Sequence, residues 1–91
     1  MADVGYLMDE GKLQRVTEAH SVTLSEIVEG CEDPQHLADI DPQGNPERYM
    51  IVGRTKNGRI LQVLCSEEEA PAVRLITAFD ANSFWRTEYN G

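Results

Sequence analysis

Six basic side chains in the second half of the chain are its best candidates for binding an anion. They are Arg48, Arg54, Lys56, Arg59, Arg74 and Arg86. His20 adds a side chain that exchanges protons near neutral pH, and Tyr89 adds a phenol late in the chain. This set suits RNA cleavage by attack of the 2′-hydroxyl, which needs a base, an acid and cations that stabilise the pentacovalent phosphate. Arginines supply those cations without a metal.

Charge is distributed unevenly along the chain. The net charge is −8, and residues 1–47 hold two bases against eleven acids, whereas residues 48–91 hold six bases against five acids. An acidic balance argues against a general nucleic-acid binder, because lysine and arginine make the phosphate contacts. Residues 48–59 contain four bases and no acid, so any anion-binding surface is expected there. The alternative is that these bases are solvated charges at strand ends.

No motif for a metal, a cofactor or a nucleophilic enzyme occurs in the sequence. Gly53 and Gly58 lie in a predicted strand and turn rather than before a helix, so they do not form a phosphate loop. No nucleophile elbow is present. Cys31 and Cys65 lack metal-ligand spacing and are predicted to be reduced thiols. We therefore predict no cofactor and no metal.

The length and composition predict one domain over residues 1–91. The chain is 41% hydrophobic and 26% charged, which is typical of a soluble globular protein. Its apolar runs are far shorter than the ~20 residues of a membrane helix. The Met-Ala-Asp start lacks the basic region and apolar stretch of a signal peptide. The sequence thus predicts a cytoplasmic protein with no membrane partner.

Two helices are predicted in the first third of the chain. Apolar residues at helical spacing follow Asp9 and favour a helix over residues 9–19. Thr23 and Glu26 have the spacing of a capping box, which favours a second helix over 24–31 that ends before Pro34. The stretch 32–47 contains three prolines and is predicted to be a loop, with a short strand around 35–39.

Strands follow in the second half. The β-branched and apolar runs 48–55, 59–66 and 72–79 favour three strands. Asn57-Gly58 is a strong hairpin turn signal between the first two, so Arg54 and Arg59 are expected near one another. A short helix over 81–89 closes the chain, with Asp80 or Asn82 as its N-cap. The predicted fold is α+β, with two N-terminal helices, a small antiparallel sheet of three to four strands and a C-terminal helix.

Nine short segments in this order resemble one known family. They are Asp9; Lys12; His20 with Val22, Thr23 and Glu26; Asp33-Pro34; Glu47-Arg48-Tyr49; Gly53-Arg54-Thr55; Asn57-Gly58-Arg59-Ile60-Leu61; Arg74-Leu75-Ile76-Thr77-Ala78; and Tyr89. Together they are similar to the BrnT-type toxins of bacterial type II toxin–antitoxin systems, which are small ribonucleases with a RelE-like fold. The resemblance runs from about Tyr6 to Tyr89. No single segment is specific, and the family is indicated by their order.

The resemblance implies a metal-independent endoribonuclease that acts on RNA and is neutralised by a cognate antitoxin protein. It implies a catalytic set that consists of His20, Arg54, Arg59, Arg74 and Tyr89. Arg48 and Lys56 are implied as RNA-binding residues. The catalytic candidates also have structural alternatives. Arg54 and Arg59 could be exposed hairpin arginines that limit edge aggregation, and Arg74 could pair with a helix carboxylate such as Glu18 or Glu26. His20 could be a helix C-terminal histidine that the helix dipole favours, and Tyr89 could be a core residue.

The sequence also departs from the family at positions that should meet RNA. Ala19 stands where the family has lysine, Ser21 where it has glycine, and Phe79 where it has arginine. The terminal segment, which is basic in the family, holds only Arg86. These losses of cations leave a second hypothesis open, in which a catalytically inactive protein keeps the toxin fold as a protein-binding module. A third is a metabolic or stress protein of another role.

Overall fold

The computed structural model describes residues 5–91, which form a five-stranded sheet and three helices. In chain order these are β1 (Tyr6–Met8), α1 (Glu10–His20), α2 (Leu24–Glu32), β2 (Leu37–Ile40), β3 (Arg48–Arg54), β4 (Ile60–Ser66), β5 (Val73–Asp80) and α3 (Ser83–Asn90). No helix in this range is long and apolar enough to cross a membrane. The Met-Ala-Asp start, on which the signal-peptide prediction rests, lies outside the described residues.

The sheet is mixed, with strand order β1-β5-β4-β3-β2. β1 pairs with β5 in parallel, and the other neighbours are antiparallel. The α+β class is confirmed, but the prediction of a wholly antiparallel sheet of three to four strands is wrong. The missed strand is β1, which has three residues and is too short to show an alternating pattern. The strand predicted around 35–39 is β2, at residues 37–40.

Local capping signals fix the helix starts. Asp9 accepts the amide N–H of Lys12 at the start of α1. Thr23 and Glu26 form the predicted capping box of α2. Asn82 caps α3 by accepting the amide N–H of Trp85. The sequence offered Asp80 as an alternative cap, but Asp80 is the last residue of β5 and pairs with an arginine.

The two faces of the sheet are covered differently, because side chains alternate along each strand. On the face that α1 and α2 cover, here called the two-helix face, Ile27, Leu61 and Leu75 are fully buried in the larger core cluster. On the opposite face, here called the α3 face, Met50 and Val52 form a smaller cluster with partly buried residues of α3. Cys31 and Cys65 are buried free thiols.

Helix α2 and strand β3 touch at a pair of glycines. A Cβ added at Gly53 would lie 1.8 Å from the carbonyl oxygen of Gly30 and 2.6 Å from its carbonyl carbon. Both obstacles are backbone atoms, so they cannot move without displacing α2 from the sheet. The contact that positions α2 therefore requires a residue without a side chain at position 53.

We expect Gly53→Ala to lower the free energy of unfolding by at least about 3 kcal/mol, because overpacking here shifts a backbone rather than a side chain. Urea unfolding followed by circular dichroism measures the effect. Gly5→Ala is the control, since a Cβ there meets nothing within 4 Å. Equal stability of both variants would contradict the close approach of α2 to β3.

Candidate functional site

The guanidinium of Arg59 binds three segments of the chain at the end of β5. Its Nε donates to Asp80 Oδ1 at 2.6 Å and its Nη2 to Oδ2 at 3.1 Å, a bidentate ion pair. Its other N–H groups donate to the carbonyls of Ser21 (2.7 Å) and His20 (2.5 Å). Nη1 also lies 3.4 Å from Glu26 Oε2. Arg59 thus joins the α1–α2 junction to β5.

These contacts shift the ionisation of two carboxyls. Hydrogen bonds from Arg59 lower the pKa of Asp80, and the charges of Arg86 and His20 lower it further. The backbone N–H of Thr23 lowers the pKa of Glu26, with a smaller contribution from Arg59. Both carboxylates are therefore ionised at neutral pH and neutralise the charge of Arg59.

His20 stands beside this ion pair. It is the exposed last residue of α1, and its ring centroid lies 6.0 Å from that of Phe79. Arg86 of α3 is close enough to Asp80 to affect its pKa. We call His20, Arg59, Phe79, Asp80 and Arg86 the Asp80 cluster. It joins an imidazole, two guanidiniums and a carboxylate with an aromatic ring.

Sequence analysis did not connect three members of this cluster with His20. It treats Phe79 as the loss of an arginine, Arg86 as one of six candidate anion-binding bases, and Asp80 as a possible helix cap. The one available signal is that all three lie around the β5–α3 connection, at or just after the end of the strand that carries Arg74. Their proximity to His20 depends on how α1 packs against β5, which a single sequence does not reveal.

A second group forms where α3 ends against β3. The guanidinium carbon of Arg54 lies 5.3 Å from the ring centroid of Tyr89, in a cation–π contact. Its Nη2 donates to Asn90 Oδ1 at 3.1 Å. The Tyr89 hydroxyl donates to Asp33, which also accepts the backbone N–H of Arg54 at 2.9 Å. We call Asp33, Arg54, Tyr89 and Asn90 the Tyr89 cluster.

The pKa values of two groups in the Tyr89 cluster shift in opposite directions. Burial raises the pKa of Tyr89, and the hydrogen bond to Asp33 raises it further. Burial works to raise the pKa of Asp33, but hydrogen bonds from Tyr89, Arg54 and Gln35 outweigh it and lower the net value. The phenol is therefore neutral and the carboxylate ionised at neutral pH. Lys56 lines an open groove beside them, of about 420 Å³, together with Glu29 and Glu32.

Arg48 and Arg74 lie at the other end of the sheet. Both stand opposite Ser66 in the strand register, one on each side of it. Arg74 donates through Nε and Nη2 to Glu69 Oε1, at 2.9 and 2.5 Å. The predicted partner, Glu18 or Glu26, is therefore wrong. Arg48 is six strand residues from Arg54, or roughly 20 Å.

Arg54 and Arg59 project from opposite faces of the sheet, so the expectation that their hairpin holds them together is wrong. Arg54 pairs with Ile60, and Arg59 accepts the amide N–H of Thr55 at its carbonyl. Opposing residues share a face and successive residues alternate. Arg54 thus lies on the α3 face and Arg59 on the two-helix face. The five predicted catalytic residues fall into three places.

Few cations of the described chain are neutralised by direct ion pairs. Salt bridges within residues 5–91 involve Arg59 and Arg74, and none there involves Arg48, Arg54, Lys56 or Arg86. No group of three or more metal-ligating side chains comes together in the same range.

Comparisons with known proteins bear on the fold. No family model matches the chain, and no curated protein matches its sequence. Among solved structures, the chain is similar to the crystal structure of BrnT, a ribonuclease toxin from Brucella abortus. The TM-score is 0.61 at 17% identity, over 89% of this chain and 100% of that one. The chain therefore has a fold similar to that of BrnT, as the resemblance predicted.

The Arg59–Asp80 pair should make stability depend on pH in the acid range. The pKa of Asp80 is lower in the folded than in the unfolded chain, so the pair stabilises above about pH 4 and its contribution is lost as pH falls further. Because Asp80 is 60% exposed, we expect a share below about 1 kcal/mol. Urea unfolding at neutral and acid pH should show a smaller acid loss for Arg59→Met than for wild type.

The control is Arg15→Met, which removes an exposed arginine of α1 outside the cluster. An acid loss of the same size in Arg59→Met and wild type would show that Arg59 does not set the ionisation of Asp80.

Tyr89→Phe should loosen α3 by removing its bond to Asp33. We expect a loss of roughly 1.5–3 kcal/mol in the free energy of unfolding, as for a hydrogen bond to a charged group. Amide exchange should accelerate in α3 more than in β3 and β4. Glu88→Gln, at an exposed neighbouring position, is the control. Unchanged exchange in α3 would mean that its apolar contacts alone hold it.

Proposed function

We propose that the chain is the toxin of a toxin–antitoxin pair and cleaves RNA as a metal-independent endoribonuclease. The observation that carries this proposal is the fold that it shares with a ribonuclease toxin over the whole length of that protein. The ordered segments from Asp9 to Tyr89 support the same assignment from the sequence. A cognate antitoxin protein is the proposed partner.

The Asp80 cluster is the proposed catalytic centre. His20 is exposed and sits beside cations, so an RNA phosphate can approach it. In the proposed reaction, His20 takes the proton from the 2′-hydroxyl as that oxygen attacks the phosphorus. The 5′-oxygen leaves and takes a proton from an acid or water, and Arg86 stabilises the extra negative charge on the phosphate.

Arg59 has a positioning role in this proposal. Its N–H groups hold the carbonyl of His20 and the carboxylate of Asp80, so it fixes the end of α1 on which the imidazole is carried. With its charge balanced by Asp80 and Glu26, it is a weaker phosphate ligand than a free arginine. Its removal should lower activity through the placement of His20.

Arg54, Lys56 and Tyr89 are the proposed path for the RNA strand on the other side of the hairpin. The Arg54 guanidinium stacks on Tyr89 and contacts the neutral Asn90, so its charge remains available to a phosphate. Lys56 is exposed beside it. Arg48 and Arg74 would contact a longer RNA at the far end of the sheet, where Arg74 must first release Glu69.

A second candidate function is that of a non-catalytic protein-binding module. Arg59 and Arg74, which the sequence resemblance implies as catalytic, are held in ion pairs within the chain, which disfavours RNA contact at those positions. Phe84 is 60% exposed on α3 and Ile40 is 77% exposed on the edge strand β2. A partner protein that covered these residues would bury their apolar surface.

Inducible expression in a bacterial host separates the two functions. We expect growth arrest and loss of total RNA integrity on expression of the wild-type chain, and neither on expression of His20→Ala, because the proposed base is absent. His36→Ala is the matched control, since His36 is also exposed but lies after α2, outside the Asp80 cluster. Purified protein should cleave RNA in the presence of a chelator.

The outcomes are distinct once folding is verified by circular dichroism. Arrest with His20→Ala as well as wild type would reject His20 as the base but keep the toxin function. Normal growth and intact RNA with every variant would reject the ribonuclease and favour the protein-binding module.

A further inference from the structure

A pocket of about 300 Å³ opens on the α3 face. Of the residues that line it, Phe79 also belongs to the Asp80 cluster, and the others have no role in the proposed function. The pocket is lined by the loop 41–43 and by Met50, Gln62, Leu64, Thr77 and Phe79. The volume is at the lower end of the range for small-ligand sites. Phe79, Leu64 and Met50 give it an aromatic, an aliphatic and a thioether wall, which suit a small and mostly apolar group.

The polar side chains of the pocket favour a ligand that carries hydrogen-bond acceptors. Gln62 is only 6% exposed, and its Oε1 accepts the amide N–H of Asn82 at 3.0 Å, which fixes the orientation of the side-chain amide. Its Nε2 donates to the sulfur of Met50 at 3.2 Å. A thioether is a weak acceptor and Nε2 carries two N–H groups, so a carbonyl or ring nitrogen of a ligand is a better partner. Thr77 adds a hydroxyl.

The pocket does not itself suit a phosphate. Among the described residues, no lysine or arginine lines the pocket, and Asp41 is the one charged side chain that does. The Asp41 carboxylate accepts the amide N–H groups of Gln43 and Asn45, each at 3.1 Å, so it serves its own loop. The ligand that matches these walls is therefore a neutral, planar group with hydrogen-bond acceptors.

Phe79 connects the pocket to the proposed catalytic centre. Its ring centroid is 6.0 Å from that of His20, and Asp80, the next residue, leads through two residues into α3, which carries Arg86. A nucleotide whose base enters the pocket would therefore carry its ribose and phosphate toward His20 and Arg86. We propose that this pocket is a nucleobase subsite for single-stranded RNA, in which Phe79 is the stacking surface and Gln62 and Thr77 bind the base edge.

This proposal rests on the proposed function and names the form of its substrate. A base inside a duplex is stacked and paired, so only an unpaired nucleotide can enter the pocket. An aliphatic side chain of a partner protein would pack against the apolar walls but would leave Nε2 of Gln62 with the methionine sulfur as its acceptor. The donors of the pocket favour the base over that occupant.

Binding of short 2′-O-methyl oligonucleotides of A, C or U tests the subsite without cleavage, because the attacking hydroxyl is blocked. Fluorescence anisotropy of labelled strands measures Kd. We expect Phe79→Leu to raise the Kd of the best-bound strand about tenfold, since stacking of one base is lost. Phe79→Tyr should bind as the wild type does. Phe84→Leu is the control, because Phe84 is an exposed aromatic residue of α3 outside the pocket.

A strand of the same length with abasic positions completes the test. We expect the Kd of wild type for the abasic strand to be as high as that of Phe79→Leu for the intact strand. Phe79→Leu and wild type should bind the abasic strand with the same Kd. Equal Kd values of wild type and Phe79→Leu, or of intact and abasic strands, would overturn the base subsite. The subsite would also be overturned if the wild type bound no strand at low salt, which is the result expected of a pocket that binds a protein. Binding that depends on Phe79 without any RNA cleavage would keep the subsite and reject the proposed ribonuclease.

Discussion

The bidentate pair between Arg59 and Asp80 is the interaction on which the arrangement of the candidate site depends. Arg59 begins the return of the central hairpin, and Asp80 ends the last strand. The same guanidinium holds the carbonyl groups of His20 and Ser21, where α1 gives way to α2. One side chain therefore fixes the distance between the imidazole on α1 and the strand that leads into α3. Such a planar group with several donors in fixed directions is what arginine offers and lysine does not.

Most of the local structure was predictable from the sequence because its signals are local. The capping box at Thr23 and Glu26, the Asn57-Gly58 turn and the three central strands each depend on residues close in the chain. β1 escaped prediction because its parallel pairing with β5 links Tyr6 to Val73 across most of the chain. A short strand of this kind is defined by its neighbour rather than by its own pattern.

The candidate site was less predictable than the fold, for reasons of register. Arg54 and Arg59 flank one turn, yet the pairing of Arg54 with Ile60 places them on opposite faces. The approach of Asp80 to Arg59 requires the pairing of Leu61 with Asp80, and an irregularity between Leu64 and Cys65 shifts the register along that strand pair. The side-chain periodicity of a single strand does not contain this information. The cluster at Asp80 is therefore a product of tertiary structure.

The net charge of −8 limits RNA binding most where an acid lies beside a base, so the neighbours of each cation matter more than the total. Glu26, Glu29 and Glu32 all lie on α2, on the two-helix face, but Glu29 and Glu32 also line the groove that contains Arg54 and Lys56. Arg48 and Arg54 belong to the opposite face by their register in β3. Charges separated by more than about 10 Å are largely screened at moderate salt, so a phosphate near Arg54 is attracted by that guanidinium and repelled by the acids of the same groove, whereas distant acids have little effect on it. Local charge and ion pairing, more than the total, thus decide which cations remain available for a polyanion.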